Sequence, residues 1–229
     1  MTDKCLLALE TTTDVCSAAL WHHGTLHTLA EVAPREHAKR LLPMVDALLS
    51  NAGIAIADVH GIAVTQGPGT FTGVRTGMSI DQGLALPHQI PLYAISSLLV
   101  MAEGARRALE QTQVLTMMDA RMNEVYYAGW QWSADAGWQC AISECVCPPE
   151  KITLPASLNG WQGVGIGWEV YQGRFPDIIT PASLPITAQH FPQAQDLITL
   201  VLSNCRHVTC TDALHIEPSY LRNDVADKQ

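Results

Sequence analysis

The stretch TQGPGTFTGVRTGMSIDQGLAL, residues 65–86, follows a buried apolar run and begins a predicted helix, so its glycines resemble those of a phosphate loop. A Walker loop needs a lysine after its last glycine, and no lysine occurs between Lys39 and Lys151. The dinucleotide pattern G-x-G-x-x-G fails as well, because Thr72 stands at its third glycine position and Gly73 comes one residue late. Thr70 can cap the helix, which leaves only a generic anion site at the free N–H groups of the first turn.

The spacing of the glycines suggests a different role. Gly69, Gly73 and Gly77 are four residues apart, so they lie on one face of the helix. Each interior glycine costs up to about 1 kcal/mol relative to alanine, so their presence needs a compensating contact. Two alternatives remain open: the face packs on this chain's own sheet, or it packs on the preceding helix and on the helices of a partner.

Outward from this stretch, the first hundred residues predict the order β-β-β-α-β-α-β-α. CLLALE, VCSAALW and LHTLAEV are typical of strands, and residues 34–52 show helical spacing of leucines before a stop at Gly53. HGIAVTQ and PLYAIS predict two further strands, and residues 96–109 predict a third helix. Farther on, residues 194–202 predict a helix, and the chain from residue 216 predicts an extended tail.

The second half restarts in the same way as the first. Residues 6–21 can be placed over residues 115–130, so that Glu10 falls on Asp119 and Trp21 on Trp130. Each copy is a strand, an acidic turn and a strand, which indicates an internal duplication. The sequence therefore predicts an α/β protein with an N-terminal lobe, residues 1–110, and a C-terminal lobe, residues 111–229.

Composition excludes several function classes. The 229 residues are 48% hydrophobic with a net charge of -9, and the four lysines form no basic run, so we expect no direct, tight binding of tRNA or DNA. No segment approaches the ~20 apolar residues of a membrane span, and the N-terminal apolar run is too short for a signal peptide. We therefore expect a cytoplasmic protein without membrane contact, whose seven cysteines are reduced thiols.

Two carboxylates are the candidates for chemistry. Glu10 and Asp119 each end a predicted strand beside a polar turn, and across a cleft between two lobes they could hold Mg²⁺ near nucleotide phosphates. The alternative, which we favour, is that each carboxylate caps its own turn. Arg75 and Arg121 could bind a phosphate or pair with neighbouring acids.

Metal binding is not predicted, and neither is a cofactor. His23 and His27 have the spacing H-x-x-x-H, but Gly24 places them in a hairpin turn and not on a helix. Cys145 and Cys147 form C-x-C, which lacks the paired C-x-x-C spacing of zinc sites.

Several segments together resemble the TsaB (YeaZ) family, whose members are bacterial subunits of the machinery that makes threonylcarbamoyladenosine in tRNA. They are LALETTTDVCSAALW, REHAKRLLPMVDALL, GIAVTQGPGTFTGVRTGMSIDQGLAL, DARMNEVYYAGW, GIGW and EPSYLRNDVA. The block G-P-G-[ST]-F-T-G-[VL]-R is more specific than a lone glycine motif. The resemblance implies the actin-like ATPase fold of two ribonuclease-H-like lobes, in agreement with the duplication.

The resemblance also implies a role without catalysis. The related catalytic subunit TsaD transfers the threonylcarbamoyl group to the adenine next to the anticodon, and it binds its metal through H-x-x-x-H after the strand that corresponds to PLYAIS. This chain has SSLLVMAEGARR there, without a histidine. The resemblance therefore implies a non-catalytic partner of TsaD, which a TsaE-type ATPase joins.

In the family, two helices of each subunit form a four-helix bundle, so a homodimer of the chain alone can be exchanged for a heterodimer with TsaD. Here these dimerisation helices are residues 34–52 and 69–86. The interface residues that we expect on them are Leu41, Met44, Val45, Leu48, Gly73, Val74, Gly77, Met78 and Asp81. The rival hypotheses are an ATP-dependent phosphotransferase that uses Glu10 and Asp119, and a peptidase, for which no nucleophile–base pair can be named.

Overall fold

Two mixed sheets with helices form the protein, and the computed structural model describes residues 4–222. The last part of the predicted tail, residues 223–229, lies outside the described residues. The elements of the first lobe follow the predicted order; they are β1 Leu6–Glu10, β2 Val15–His22, β3 Thr25–Val32, α1 His37–Ala52, β4 Gly61–Gly67, α2 Phe71–Ala85, β5 Leu92–Ser96 and α3 Ser97–Leu109.

The apolar strand β1 occupies the centre of the first sheet because all five of its residues are buried. It pairs antiparallel with β2 and parallel with β4, and the sheet runs β5-β4-β1-β2-β3. Helix α1 ends where predicted, because Gly53 adopts the left-handed conformation and donates its N–H to Leu49 and Ser50 carbonyls. The side chain of Thr70 accepts from the Gly73 N–H and caps α2, as predicted.

The second sheet repeats the order of the first, so the predicted duplication is present in the topology. The remaining elements are β6 Gln113–Arg121, β7 Glu124–Ser133, β8 Gly137–Cys147, β9 Gln162–Val164, α4 Gly167–Val170, β10 Ile186–Thr187, α5 Ala194–Leu202 and β11 Thr209–Thr211. Strand β6 pairs antiparallel with β7 and parallel with β9, as β1 does with β2 and β4, and the sheet runs β10-β9-β6-β7-β8.

The two copies are offset by one residue from the alignment that the sequence suggested. Leu6 pairs with Trp21, whereas Val114, and not Leu115, pairs with Trp130. Counting from these pairs, Glu10 corresponds to Met118. Asp119 is the next residue along the strand, so its side chain points to the opposite face of the sheet.

The end of the chain returns to the first lobe. Strand β11 pairs antiparallel with β5 and extends the first sheet, and α5 packs with α3 between the two sheets. Arg107 on α3 and the fully buried Asp196 on α5 form an ion pair at 2.6 Å. The two sheets divide between α3 and β6, and after β10 the chain returns through α5 to β11 of the first sheet, while Arg222 bonds to Ala120 and Glu124 of the second lobe. Within residues 4–222, no helix combines the length and apolar character that a membrane crossing requires.

The glycine face of α2 receives the turn between β1 and β2. A Cβ on Gly73 would lie 2.1 Å from the carbonyl oxygen of Thr11, and one on Gly77 would lie 2.4 Å from the Thr11 Oγ1. A Cβ on Gly69 would lie 2.6 Å from Thr12.

Two hydrogen bonds hold the contact between the β1–β2 turn and α2: the Thr11 hydroxyl donates to the Gly73 carbonyl at 2.8 Å, and the Thr70 N–H donates to the Thr12 carbonyl at 2.8 Å. The glycines therefore permit a close approach within this chain, which resolves the open choice in favour of internal packing.

We expect Gly73→Ala and Gly77→Ala to lower the free energy of unfolding, in that order of severity. The new Cβ at position 73 meets backbone, which cannot move alone, whereas the one at position 77 meets the side chain of Thr11. Overpacking of this kind costs roughly 1–3 kcal/mol. Gly83→Ala on the same helix is the control, because nothing lies within 4 Å of its Cβ position, and it should stabilise by about 0.5–1 kcal/mol. Urea unfolding would measure all three, and equal effects at the three positions would contradict the contact.

Candidate functional site

The interface residues expected from the sequence lie on the inner faces of the two helices. Leu41, Val45 and Leu48 of α1 are buried in the core of the first lobe, and Met44 packs against the same core. On α2 the five expected residues are all buried: Gly73, Val74, Gly77, Met78 and Asp81. The physical reason is that helical spacing of apolar residues marks the stripe that covers a chain's own core. In the structure these side chains cover the chain's own core, so the expected contacts of these residues with a partner stay a prediction.

The outer faces of the same helices form a groove open to solvent, which we call the α1–α2 face. Its residues are Ala38, Leu42, Phe71, Thr72, Arg75, Thr76, Ser79 and Ile80. Leu42 is 46% exposed and Phe71 is 71% exposed, which is high for large apolar side chains. The guanidinium of Arg75 stacks on the ring of Phe71 at 3.4 Å and also bonds to the hydroxyl of Tyr220. Sequence periodicity missed this face because its apolar residues do not form a continuous stripe.

Glu10 is fully buried and holds its own turn. Its Oε1 accepts from the Thr12 N–H at 2.6 Å and from the Thr12 hydroxyl. The other carboxylate oxygen, Oε2, has no hydrogen-bond partner among the described residues. Burial raises the pKa of Glu10 to about 7, although the hydrogen bonds from Thr12 oppose the rise. Glu10 therefore caps the turn between β1 and β2, which is the alternative to metal binding that the sequence favoured.

Asp119 also caps its own turn, at the corresponding edge of the second sheet. Its Oδ1 accepts from the Arg121 N–H at 2.7 Å and from the Tyr171 hydroxyl at 2.8 Å, and its Oδ2 pairs with the Arg121 guanidinium at 2.9 Å. Every oxygen of this carboxylate therefore has a partner within the chain. Arg121 therefore pairs with a neighbouring acid, which is one of the two roles that the sequence left open for it.

A cavity of about 440 Å³ lies between the lobes, closed on one side by residues 218–222. Both lobes contribute to its wall, through Pro68, Gly69, Thr70, Phe71, Val74, Arg75, Asp119, Ala120, Arg121 and Tyr126. A second cavity beside it also includes Asp119. Glu10 lines neither of the two, so the structure does not bring the predicted carboxylate pair to one cleft. A phosphotransferase that uses both carboxylates finds no support in this geometry.

Asp81 forms an unpredicted pair of buried acids with Glu10. Its side chain is fully buried on the inner face of α2, and neither of its oxygens has a hydrogen-bond partner among the described residues. Burial raises the pKa of Asp81 well above its usual range, and the charge of Glu10 raises it further. The signal was present in the sequence, because Asp81 follows Gly77 and Val74 at helical spacing and so had to share their inner face.

The buried acids predict a stability that falls as the pH rises. In the unfolded chain both acids ionise near pH 4, whereas in the folded chain they hold their protons, Glu10 up to about pH 7 and Asp81 beyond its usual range. The stabilisation is therefore complete below the unfolded pKa and is lost as the pH rises through the folded pKa. Each acid contributes a slope of at most about 1.4 kcal/mol per pH unit in the free energy of unfolding.

Urea unfolding of the wild type and of Asp81→Asn between pH 5 and pH 9 would measure this slope. The amide cannot ionise, so we expect a flatter profile for the variant, with the largest difference at the alkaline end. Asp46→Asn, which removes an exposed carboxylate from α1, is the matched control and should keep the wild-type slope. A wild-type slope in Asp81→Asn would mean that Asp81 is ionised in the folded protein.

Comparison with known proteins places this geometry in a family. The family model described as "TsaD: tRNA N6-adenosine threonylcarbamoyltransferase" matches residues 28–228. Among curated proteins, the tRNA threonylcarbamoyladenosine biosynthesis protein TsaB of Escherichia coli is 39% identical over 98% of this chain and 97% of its own. TsaB of Haemophilus influenzae is 37% identical over 100% of this chain and 98% of its own.

A solved structure points to the same family. The structure titled "YeaZ from Pseudomonas aeruginosa" superposes with a TM-score of 0.86 at 40% identity, covering 95% of this chain and all of that one. The α/β fold of two duplicated lobes of mixed sheet with helices, which the sequence led us to expect, is therefore confirmed. With relatives of this identity along its whole length, the chain belongs to the TsaB (YeaZ) family.

Proposed function

We propose that this chain is a non-catalytic subunit that pairs with a TsaD-type catalytic subunit in the cytoplasm. The pair, joined by a TsaE-type ATPase, transfers a threonylcarbamoyl group to the adenosine next to the anticodon in tRNA. The observation that carries the proposal is the α1–α2 face, where Leu42 and Phe71 stay exposed beside small polar residues on a chain of the TsaB family. Large apolar side chains left in solvent in this way are typical of a contact surface.

The kinship of the two subunits explains why one face could serve two partners. The TsaD family model matches most of this chain, so a TsaD-type subunit is expected to carry helices equivalent to α1 and α2. A surface that pairs with its own copy around a two-fold axis can also pair with a related copy in nearly the same geometry. Thr72, Thr76 and Ser79 present only small side chains along α2, which lets a partner helix approach closely.

Three features support an accessory role. Helix α3 follows β5 at the position of the TsaD metal motif, and it contains no histidine. The two carboxylates at the strand ends cap their own turns, as described above. The net charge of -9 disfavours tight tRNA binding, so recognition of the tRNA is assigned to the catalytic subunit.

Leu42→Glu should weaken pairing with both partners. A carboxylate in the middle of an apolar helix contact loses its water without gaining a partner, which costs at least about 2 kcal/mol and weakens binding roughly 30-fold. Size-exclusion chromatography with light scattering would be run on the chain alone and on its mixture with the TsaD-type subunit of the same organism. We expect a homodimer that converts to a heterodimer for the wild type, and a monomer for the variant.

Ile178→Glu is the matched control, because it places the same charge on a residue of the second lobe that is 63% exposed and lies outside the α1–α2 face. It should pair as the wild type does. A larger side chain at Gly77 would not test the interface, because residue 77 faces Thr11 and the substitution disturbs the fold itself. Wild-type pairing by Leu42→Glu would place the interface elsewhere, and a wild-type homodimer that ignores the TsaD-type subunit would overturn the proposed partner.

An assay of tRNA modification from which single components are left out tests whether this chain is catalytic. The complete mixture of this chain, the TsaD-type subunit, the ATPase, tRNA and threonylcarbamoyl adenylate should form the modified nucleoside. Leaving out the TsaD-type subunit should abolish product, and leaving out this chain should reduce it. Modification by this chain in the absence of the TsaD-type subunit would contradict the accessory role.

A further inference from the structure

The C-x-C pair of the second lobe has no part in the function proposed above. Cys145 and Cys147 lie at the end of β8, the edge strand of the second sheet, and both side chains are partly exposed. Alternate residues of a strand point to the same face, so the two thiols stand side by side. Their sulfurs are 3.9 Å apart and share an S–H···S hydrogen bond.

The position of the pair permits the sulfurs to come to bonding distance. Two residues along a strand span about 6.4–6.8 Å between Cα atoms, which falls at the upper limit of the range for disulfides, and their Cβ atoms lie farther apart than the roughly 3.8 Å of a disulfide, so the bond requires the end of β8 to bend. As an edge strand β8 is bound to the sheet only through β7, and the pairing ends at Cys147 because Pro148 after it has no N–H for the ladder. The register between β7 and β8 also shifts near Tyr127, the neighbour of Cys145, which adds local twist.

The thiols are unequal in acidity. The hydrogen bond between the two sulfurs lowers the pKa of Cys145 to about 7, although burial opposes the shift. The same bond raises the pKa of Cys147. Cys145 is therefore the nucleophile of the pair, and Cys147 is the resolving thiol.

We propose that Cys145 and Cys147 form a reversible disulfide by exchange with a low-molecular-weight disulfide of the glutathione type. The Cys145 thiolate attacks one sulfur of the reagent, which forms a mixed disulfide and releases one thiolate that takes up a proton from water. Cys147, after losing its proton to solvent, attacks the Cys145 sulfur and displaces the second thiolate. The protein thus loses two hydrogens and two electrons, and the reagent is reduced to two thiols. Because the spacing lies at the limit for a disulfide, the bond is labile and suits a reversible modification.

The test uses the full chain in buffers of glutathione and glutathione disulfide. Samples are quenched with acid, the remaining thiols are alkylated, and intact mass and peptide mapping locate the bond. We expect loss of two alkylation sites, a mass 2 Da below that of the reduced chain before alkylation, and a link between Cys145 and Cys147 that dithiothreitol reverses. At pH 7, Cys145 should react with iodoacetamide roughly tenfold faster than Cys140. Cys140 lies on the same strand and is exposed, but partial desolvation of its thiol raises its pKa.

Single substitutions separate the two roles. Cys147→Ser should trap glutathione on Cys145 as a stable mixed disulfide, because the resolving thiol is gone. Cys140→Ser is the matched control and should form the internal bond as the wild type does. Glutathione that accumulates on Cys145 of the wild type, a bond to another cysteine, or equal alkylation of Cys145 and Cys140 would overturn the proposal, and circular dichroism confirms that each variant is folded.

Discussion

The contact on which the first lobe depends is the approach of the β1–β2 turn to the glycine face of α2. Thr11 and Thr12 place their backbone against the helix so closely that a Cβ at Gly69, Gly73 or Gly77 would overlap with them. This approach sets the distance between the central strand and the helix, and therefore the position of the opposite side of α2. The geometry of the α1–α2 face is thus determined from inside, chiefly by the buried residues Thr11, Gly73 and Gly77.

Local signals explain how much of this arrangement could be predicted from the sequence. The end of α1 and the start of α2 followed from the left-handed stop at Gly53 and the cap at Thr70, both of which involve residues a few positions apart, whereas α1 begins at His37 and not at the predicted residue 34. The contact of the glycine face could not be predicted, because its other half, Thr11, lies about sixty residues earlier and carries no matching pattern. Apolar periodicity identified the stripe with Leu41 and Val45 correctly, but it cannot tell a core from an interface, and here the stripe covers the core.

In the second lobe, the strand register and the short strands could not be predicted from the sequence. The duplication could be seen in the paired hairpins, yet the second hairpin has one residue more than the first between the corresponding pairs, 114–130 against 6–21, and a register shift between Asp119 and Arg121, so an alignment by sequence placed Asp119 one residue off. A one-residue shift moves a side chain to the other face of a sheet, which is why Glu10 is buried with Asp81 whereas Asp119 meets Arg121 and Tyr171. Strands β10 and β11 are two and three residues long, too short for any periodic signal, and only the fold reveals that β11 extends the first sheet.

The buried acids and the glycine face belong to one layer of the molecule, and this has a thermodynamic consequence. Asp81 keeps its proton because α2 is packed down over it, and Glu10 keeps its own because the turn that it caps is covered by the same helix. Ionisation is favoured by water and opposed by this packing, so proton binding and the packing of α2 are linked, and the linkage acts equally in both directions. A partner that presses α2 onto the sheet would raise the affinity of both acids for protons, and an outward shift of the helix would lower it. The protonation of two carboxyl groups that never reach the surface therefore reports on the helix that carries half of the α1–α2 face.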